Sequence, residues 1–294
     1  MGKHKKDKTP FLLKLVRWGF PKLEKYFPAL AHRYFLRIFF TPLKYPVPEK
    51  EEKAISYTNR FTLTAANQTV QGYIWGEEGP YVLVVHGWAG RATQFRRFVK
   101  PLLRAGFRVI GFDGPAHGRS TGRRTNLFEF RETLNRIYEM HGEPSAIIAH
   151  SFGGVAVLFA AMHGLRVHKL VNIASPTIGD EVIRTYLKAV NGSWSTGLFF
   201  KDYIKRTLGK TFDEFSSLHF VRNLPQPIDM LLVQDENDRE VEMRHAEALI
   251  AVYPQARLLR THKLGHTRIL KDDEVIRQIV AFIARPEQQP LHNS

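Results

Sequence analysis

The chain has 294 residues and 44% hydrophobic content, enough for one large domain with a substantial buried core. It contains no cysteine, which excludes disulfide frameworks, thiolate metal sites and a cysteine nucleophile. The formal net charge is +15, and residues 1–60 carry +9 of it, from 14 Lys or Arg against 5 Asp or Glu. The excess basic charge therefore belongs mainly to the N-terminal segment.

The N-terminal segment is predicted to be a basic helical extension. Apolar and basic residues interleave at helical spacing over residues 11–40, which predicts two or three short amphipathic helices, with Pro21 and Pro28 at helix breaks or in first turns. The prolines of residues 41–48 predict an extended connector, so the extension covers residues 1–50. Such helices either lie on an anionic membrane surface or pack on the rest of the protein, and both alternatives stay open.

Charged residues in the same segment limit its relation to membranes. No uncharged apolar run reaches the roughly 18–20 residues of a spanning helix, and Lys14 and Arg17 fall inside the region that a signal peptide keeps uncharged. The predicted location is cytoplasmic, with contact between residues 1–40 and the anionic inner face of a membrane as the open alternative. No nucleic-acid partner is expected, because no recognition motif accompanies the basic charge.

Residues 51–286 show the pattern of one α/β domain. Alternating residues around Ala66-Asn67-Gln68 predict an antiparallel hairpin formed by residues 60–65 and 69–75. Short continuous apolar runs, separated by helical segments, then predict a mostly parallel open sheet flanked by helices. The predicted parallel strands are Tyr81–Val85, Arg108–Phe112, Ala146–Ala149, Leu170–Ile173, Ile228–Val233 and Ala256–Leu259, and the last two helices are Glu242–Val252 and Asp272–Ala284.

One interval breaks the alternation of strands and helices. Residues 177–223 are too long for an ordinary connection and carry eight aromatic side chains, which predicts a short helical cap. Residues 287–294 are predicted to be a disordered tail.

Ser151 lies where a predicted strand runs directly into a predicted helix. A serine in so tight a turn is exposed and strained, and it requires small residues two positions before and two positions after it. Ala149 and Gly153 meet this requirement. Because Ser-x-Gly is common by chance, the assignment of Ser151 as a nucleophile depends on the strand, turn and helix around it.

Because of this strand, turn and helix around Ser151, residues 56–284 resemble the α/β-hydrolase superfamily. Ala149 stands where the family usually has glycine. The resemblance implies Ser151 as the catalytic nucleophile. It also implies an oxyanion hole made by two backbone N–H groups, that of Phe152 and that of Trp88, which follows the end of an earlier strand.

The remaining catalytic residues are also implied by the family, whose chain order is serine, acid, histidine. Asp238 aligns with the family acid, and Asp235 is the reserve candidate. His266, in a Gly-His loop after the last strand, is the base. The nearby His262 is expected to be a surface residue.

These expectations describe a carboxylesterase-like serine hydrolase that cleaves an ester or related acyl bond of a small molecule through an acyl-enzyme. The aromatic cap favours an apolar acyl group. Thioesterase, lipase, carbon–carbon bond hydrolase, acyltransferase and peptidase activities use the same triad, and a ligand-binding protein without turnover is the alternative from another class. No cofactor is expected, and no metal, since no His-Glu-x-x-His motif is present. The oligomeric state stays open.

Overall fold

The structure is a computed structural model that describes residues 11–285. The predicted tail of residues 287–294 lies outside the described residues, as do the first ten residues of the N-terminal extension.

The strands are β1 (Asn59–Ala65), β2 (Gln68–Trp75), β3 (Tyr81–Val85), β4 (Arg108–Asp113), β5 (Ala146–His150), β6 (Lys169–Ile173), β7 (Asp229–Asp235) and β8 (Arg257–Thr261). The helices are α1 (Phe11–Tyr26), α2 (Pro28–Phe39), α3 (Glu49–Ile55), α4 (Arg96–Arg104), α5 (Leu127–His141), α6 (Phe152–Met162), α7 (Gly179–Val190), α8 (Trp194–Leu208), α9 (Ser217–Arg222), α10 (Arg244–Val252), α11 (Gly265–Arg268) and α12 (Asp273–Ala284).

The strands form one sheet in the order β1-β2-β4-β3-β5-β6-β7-β8. Strands β3 to β8 run parallel to one another, while β1 and β2 form an antiparallel hairpin at one edge, where β2 pairs antiparallel with β4. Ala66 and Asn67 make the hairpin turn with φ of 49° and 57°, a turn whose twist matches that of the flanking strands. The mostly parallel open sheet flanked by helices, and its hairpin, are confirmed.

The sheet is covered on both faces, which explains its continuous apolar strands. Every residue of β3, β5 and β6 is buried. Val82 and Val84 share one hydrophobic core with Phe98 of α4 and Ile279 of α12, while α5 and α6 contact each other and reach the strands β1, β3 and β5. Since neighbouring parallel strands end at similar heights, the loops that follow them meet at one edge of the sheet.

The chain divides into two compact units. Among the described residues, the larger unit contains 42–177 and 217–285 and includes the whole sheet, and the smaller unit contains 11–41 and 178–216. Helix α9, which the sequence analysis grouped with the cap, lies in the larger unit, and so does α3, of which only the first two residues fall within the predicted extension. Ile55 of α3 is part of the core against the sheet, and Phe220 of α9 packs on Phe159.

In the smaller unit, α1 and α2 share one hydrophobic core with α7 and α8. Phe200 of α8 packs edge-on against Phe35 of α2 with ring centroids 5.7 Å apart, and it lies at a tilt against Phe39 with centroids 4.3 Å apart. Aromatic residues that the sequence analysis assigned to a cap over substrate are thus used inside this core, so their number does not by itself indicate an acyl preference. The buried core residues are Phe20, Ala31, Phe35, Ile183, Leu187, Val190, Phe200, Ile204 and Phe212.

The two N-terminal prolines occupy different kinds of position. Pro28 is the first residue of α2, where the fixed φ of proline suits a helix and no N–H is needed. Pro21 lies inside α1, which continues through it to Tyr26. Among residues 11–285, no helix combines the length and the apolar character needed to cross a bilayer.

Candidate active site

Ser151 occupies the tight turn between β5 and α6. Its backbone dihedrals, φ 52° and ψ −123°, lie in a region that costs a residue with a side chain roughly 1–3 kcal/mol. Two contacts from the end of β6 hold the turn: the Ser151 N–H donates to the Ile173 carbonyl at 2.8 Å, and the Ser175 hydroxyl donates to the Ser151 carbonyl at 2.9 Å. Sequence reasoning did not find Ser175, whose role depends on the pairing of β5 with β6.

Glycines allow the turn and the end of β3 to approach closely. A Cβ on Gly153 would lie 2.4 Å from the Val85 carbonyl oxygen and 2.7 Å from that of His86. A Cβ on Gly87 would lie 2.9 Å from the Cβ of Ser151. Because real Cβ atoms do not come so near backbone atoms, only glycine allows this spacing between the two loops.

Trp88 and Phe152, the two predicted oxyanion residues, lie beside each other next to the turn. Phe152 is the first residue of α6, where N–H groups have no acceptor within the helix and the helix dipole is positive. Within residues 11–285, neither the Trp88 nor the Phe152 amide donates a hydrogen bond. Their rings meet edge to face with centroids 5.1 Å apart. Both amides are therefore available to a developing oxyanion.

His86 sets the conformation of the loop that carries Trp88. Its Nε2 accepts a hydrogen bond from the Gly114 N–H at 2.7 Å, so its Nδ1 carries the proton and donates to the Gly87 carbonyl at 2.8 Å. Burial lowers the pKa of His86 to about 4, which keeps the ring neutral. The sequence analysis assigned no role to His86.

His266 and Asp238 form a hydrogen-bonded pair. The Nδ1–H of His266 donates to Oδ2 of Asp238 at 2.8 Å. The other carboxylate oxygen, Oδ1, accepts the backbone N–H groups of Glu240 at 2.8 Å and Val241 at 3.1 Å. The Asp238 side chain is fully buried and that of His266 is 10% exposed. With the proton on Nδ1, the Nε2 of His266 is free to act as a base.

The pKa values of the pair separate in the direction that a triad requires. Burial by itself lowers the pKa of His266, but the hydrogen bond and charge of Asp238, together with the charge of Glu240, raise it above its ordinary value. Burial raises the pKa of Asp238, but the hydrogen bond and charge of His266 and two backbone N–H groups lower it below its ordinary value. Asp238 thus stays ionised and favours a protonated His266 during a reaction.

Asp235, the reserve candidate for the acid, is buried and stabilises the loop that carries His266. Its two oxygens accept the Gly265 N–H at 2.9 Å, the Leu264 N–H at 3.0 Å and the Thr261 hydroxyl at 2.8 Å. Burial raises the pKa of Asp235, and these hydrogen bonds lower it below its usual value. The carboxylate that meets His266 is therefore that of Asp238.

Two further histidines lie near His266 in the chain or in space. The Nε2–H of His150, the residue before Ser151, donates to the backbone carbonyl of His266 at 2.9 Å. Burial, with the charge of His266, lowers the pKa of His150 to about 3, so it stays neutral. His262 has a side chain that is 56% exposed, 3.4 Å from Glu236. Sequence reasoning did not assign a role to His150.

Glu240 brings a second carboxylate to the catalytic side of the histidine. Its Oε2 lies 3.9 Å from Nε2 of His266, and its side chain is 69% exposed. A base works in its neutral form, so the rate rises with pH as His266 loses its proton. Replacing Glu240 with glutamine removes a charge that favours the protonated ring, and the acidic limb of the kcat/KM profile is expected to move to lower pH by about 0.2 to 0.7 units.

The pH dependence of kcat/KM for a soluble ester measures this shift. Glu236→Gln is the matched control, because Glu236 lies 3.4 Å from His262 and forms no ion pair with His266 among residues 11–285. A profile for Glu240→Gln that coincides with the wild-type profile would contradict the assigned influence of Glu240.

Within residues 11–285, no group of three or more His, Asp or Glu side chains is placed to hold a metal ion.

Comparison with known proteins shows which families and structures this chain is similar to. A family model described as the alpha/beta hydrolase fold matches residues 80–196. A serine hydrolase-like protein of Danio rerio is 31% identical over 133 residues, which are 42% of this chain and 40% of that protein. An uncharacterized hydrolase of Bacillus subtilis (strain 168), YugF, is 29% identical over 170 residues, 54% of this chain and 57% of that protein.

Among solved structures, the esterase Pf2001 of Pyrococcus furiosus has a similar fold. It has a TM-score of 0.61 at 18% identity, over 83% of this chain and 95% of the esterase. This chain spans 40% and 57% of the length of the two curated relatives named above. The sheet order, the turn at Ser151 and these similarities together show that the chain has the α/β-hydrolase fold.

Proposed function

We propose that the protein is a serine hydrolase that cleaves an ester or related acyl bond through an acyl-enzyme on Ser151. The observation that carries this proposal is the His266–Asp238 pair at 2.8 Å, on a loop that is hydrogen-bonded to the residue before Ser151. A histidine held by a buried carboxylate beside a serine in a strained turn is the arrangement that activates a hydroxyl group.

The first half of the reaction forms the acyl-enzyme. Nε2 of His266 takes the proton of the Ser151 hydroxyl, and the serine oxygen forms a bond to the carbonyl carbon of the ester. The carbonyl oxygen becomes an oxyanion that accepts hydrogen bonds from the Trp88 and Phe152 amides. When the carbon–oxygen bond to the alcohol breaks, the protonated His266 gives its proton to the departing alcohol.

The second half releases the acid. Neutral His266 takes a proton from a water molecule, whose oxygen attacks the acyl carbon. The same two amides accommodate the second oxyanion. The bond to Ser151 then breaks, His266 returns a proton to the serine oxygen, and the carboxylic acid leaves. The enzyme ends in its starting protonation state.

Support for an apolar acyl group comes from the surroundings of the turn. The half-buried rings of Trp88 and Phe152 lie beside Ser151 and offer an apolar surface next to the reacting carbonyl. Similar proteins are named serine hydrolase-like protein and esterase, and these names are consistent with cleavage of an acyl bond. The proposed location of this activity is the cytoplasm.

Other activities use the same residues and differ in leaving group or acceptor. A thioesterase has a thiol leaving group, a lipase acts on an acylglycerol at an interface, and an acyltransferase gives the acyl group to an alcohol in place of water. A ligand-binding protein would keep the pocket without turnover. No specific contact favours any of these over an ester hydrolase.

Covalent labelling tests the proposal directly. A fluorophosphonate, which reacts with activated serines, is expected to add once per chain, with peptide mass spectrometry locating the adduct on Ser151. Prior incubation with excess ester substrate is expected to slow the labelling. An unlabelled chain, or an adduct on another serine, would contradict the proposed nucleophile.

Steady-state rates then separate the substrate classes. We expect turnover of p-nitrophenyl esters, with kcat/KM rising as the acyl chain lengthens from acetyl. Matched thioesters test for a thioesterase, and added alcohols test for acyl transfer. Turnover of none of these compounds would contradict the hydrolase and favour the ligand-binding alternative.

A further inference from the structure

Helices α1 and α2 present a wide exposed apolar surface away from the core of the smaller unit. Four large side chains carry it, with Trp18 65% exposed, Tyr26 64%, Phe27 63% and Leu30 54%. Soluble proteins seldom expose large apolar side chains in such a group, and where they do, the surface has a binding function. We name the exposed side of α1 and α2 the basic-aromatic face.

Helical geometry explains why this face is continuous. Residues 18, 22 and 25 of α1 follow each other at i, i+4 and i+7, so Trp18, Lys22 and Lys25 lie on one side of the helix. Phe20, on the opposite side, is buried in the core of the unit. In α2, residues 30, 34 and 37 repeat this spacing outward, while Phe35 is fully buried.

The charges of the basic-aromatic face have one sign. Lys22, Lys25, Arg33 and Arg37 are exposed on it, and the ammonium group of Lys22 lies 3.1 Å from the centroid of the Trp18 ring. Basic residues therefore sit among and over the aromatic rings, as they do in helices that lie at a membrane surface.

The one acidic residue between positions 11 and 40 is turned inward. Glu24 accepts the backbone N–H of Ser193 at 3.0 Å and the hydroxyl of Thr196 at 2.6 Å, at the beginning of α8. Its charge is thus used at the positive end of a helix in the same unit. No acidic side chain of this segment balances the cations of the basic-aromatic face.

These observations select one kind of partner. A second copy of the chain would bring the same cations together, which costs affinity, and the centres of protein interfaces are depleted in lysine. An anionic phospholipid surface satisfies both features, since its headgroups attract the cations and its interfacial region accommodates tryptophan and tyrosine. We propose that the basic-aromatic face docks the protein on anionic phospholipid membranes.

Co-sedimentation of the full-length chain with vesicles tests this proposal. The wild type is expected to bind vesicles of phosphatidylcholine mixed with phosphatidylglycerol far better than pure phosphatidylcholine vesicles, and added salt should weaken the binding. Lys22→Glu/Lys25→Glu is expected to weaken it at least about tenfold. Trp18→Ala/Tyr26→Ala is expected to weaken it by a comparable factor.

Matched controls separate the face from total charge and from total aromatic content. Lys100→Glu/Arg104→Glu makes the same change in net charge on exposed residues of α4, in the larger unit. Tyr57→Ala removes an aromatic ring that is 76% exposed, also in the larger unit. Both controls should bind like the wild type, and all variants should keep the wild-type melting temperature and rate on a soluble ester.

Four results of the vesicle experiment would overturn the proposal. The wild type could fail to sediment with the mixed vesicles, or it could bind pure phosphatidylcholine vesicles equally well. The two control variants could lose as much binding as the face variants, or both face variants could bind like the wild type. Sedimentation velocity without lipid tests the alternative occupant. A wild-type oligomer that Trp18→Ala/Tyr26→Ala converts to monomer would mark the face as a self-association surface and contradict the membrane assignment.

Discussion

Ser151→Ala is expected to lower kcat for a p-nitrophenyl ester by at least about 10⁴-fold. The substitution removes the oxygen that bonds to the acyl carbon, while the Trp88 and Phe152 amides remain to polarise the carbonyl, so a small residual rate is expected. This position requires a φ of 52°, which raises the conformational free energy of alanine and serine by similar amounts. The melting temperature should therefore change little. Single-turnover and steady-state rates measure the loss.

Ser145→Ala is the matched control for this substitution. Ser145 precedes β5 at the end of the strand opposite to Ser151, and its N–H donates to the Tyr81 carbonyl, a contact that alanine keeps. We expect wild-type rates and full fluorophosphonate labelling from this control. Ester turnover by Ser151→Ala within tenfold of the wild type would mean that another residue is the nucleophile.

Asp238→Asn is expected to lower kcat by about 10⁴-fold with little loss of stability. The backbone N–H groups of Glu240 and Val241 both point at one oxygen of this carboxylate, so the asparagine carbonyl must face them. The amide NH₂ then faces Nδ1 of His266, which has to become an acceptor. The imidazole proton moves to Nε2, and the ring can no longer accept the proton of Ser151.

Asp235→Asn provides the comparison, three positions away. Both oxygens of Asp235 accept hydrogen bonds, from Gly265 at one oxygen and from Leu264 and Thr261 at the other. An amide NH₂ in either place would face donors and leave buried groups unpaired, at a cost of about 1–3 kcal/mol. We expect a lower melting temperature and a smaller loss of kcat than in Asp238→Asn.

Thermal melts and ester kinetics of the two variants decide between the aspartates. If Asp235→Asn kept the wild-type melting temperature and lost more activity than Asp238→Asn, the acid would have to be reassigned to Asp235. The pH profile adds a second readout, because loss of the Asp238 charge removes an influence that raises the pKa of His266.

The strands of the sheet could be predicted because each has a local cause. A run such as Tyr81–Val85 is apolar at every position, and burial on both faces of a parallel sheet requires this pattern. The hairpin turn at Ala66 and Asn67 is likewise read from neighbouring residues. Ser151 could be singled out because the turn demands small residues at fixed offsets, whatever the rest of the chain does.

The length of α1 and the neighbours of α1 and α2 could not be predicted. Pro21 suggested a break or a helix start, but α1 continues through it. The periodicity of apolar residues in α1 and α2 indicated that one face of each helix is buried. It did not indicate which part of the protein covers that face. That surface is provided by α7 and α8, whose residues lie more than 130 positions later in the chain.

By itself, the sequence determined the alternation of strands and helices, the turn that exposes Ser151, and a short set of candidates for the acid and the base. Tertiary structure alone decided that Asp238 meets His266 while Asp235 holds the loop, and that His150 and Ser175 connect separate strand ends. The physical reason is the range of the interactions. Periodicity and turn chemistry act between near neighbours in the chain, whereas a hydrogen-bond partner is chosen by distance and direction in the folded protein.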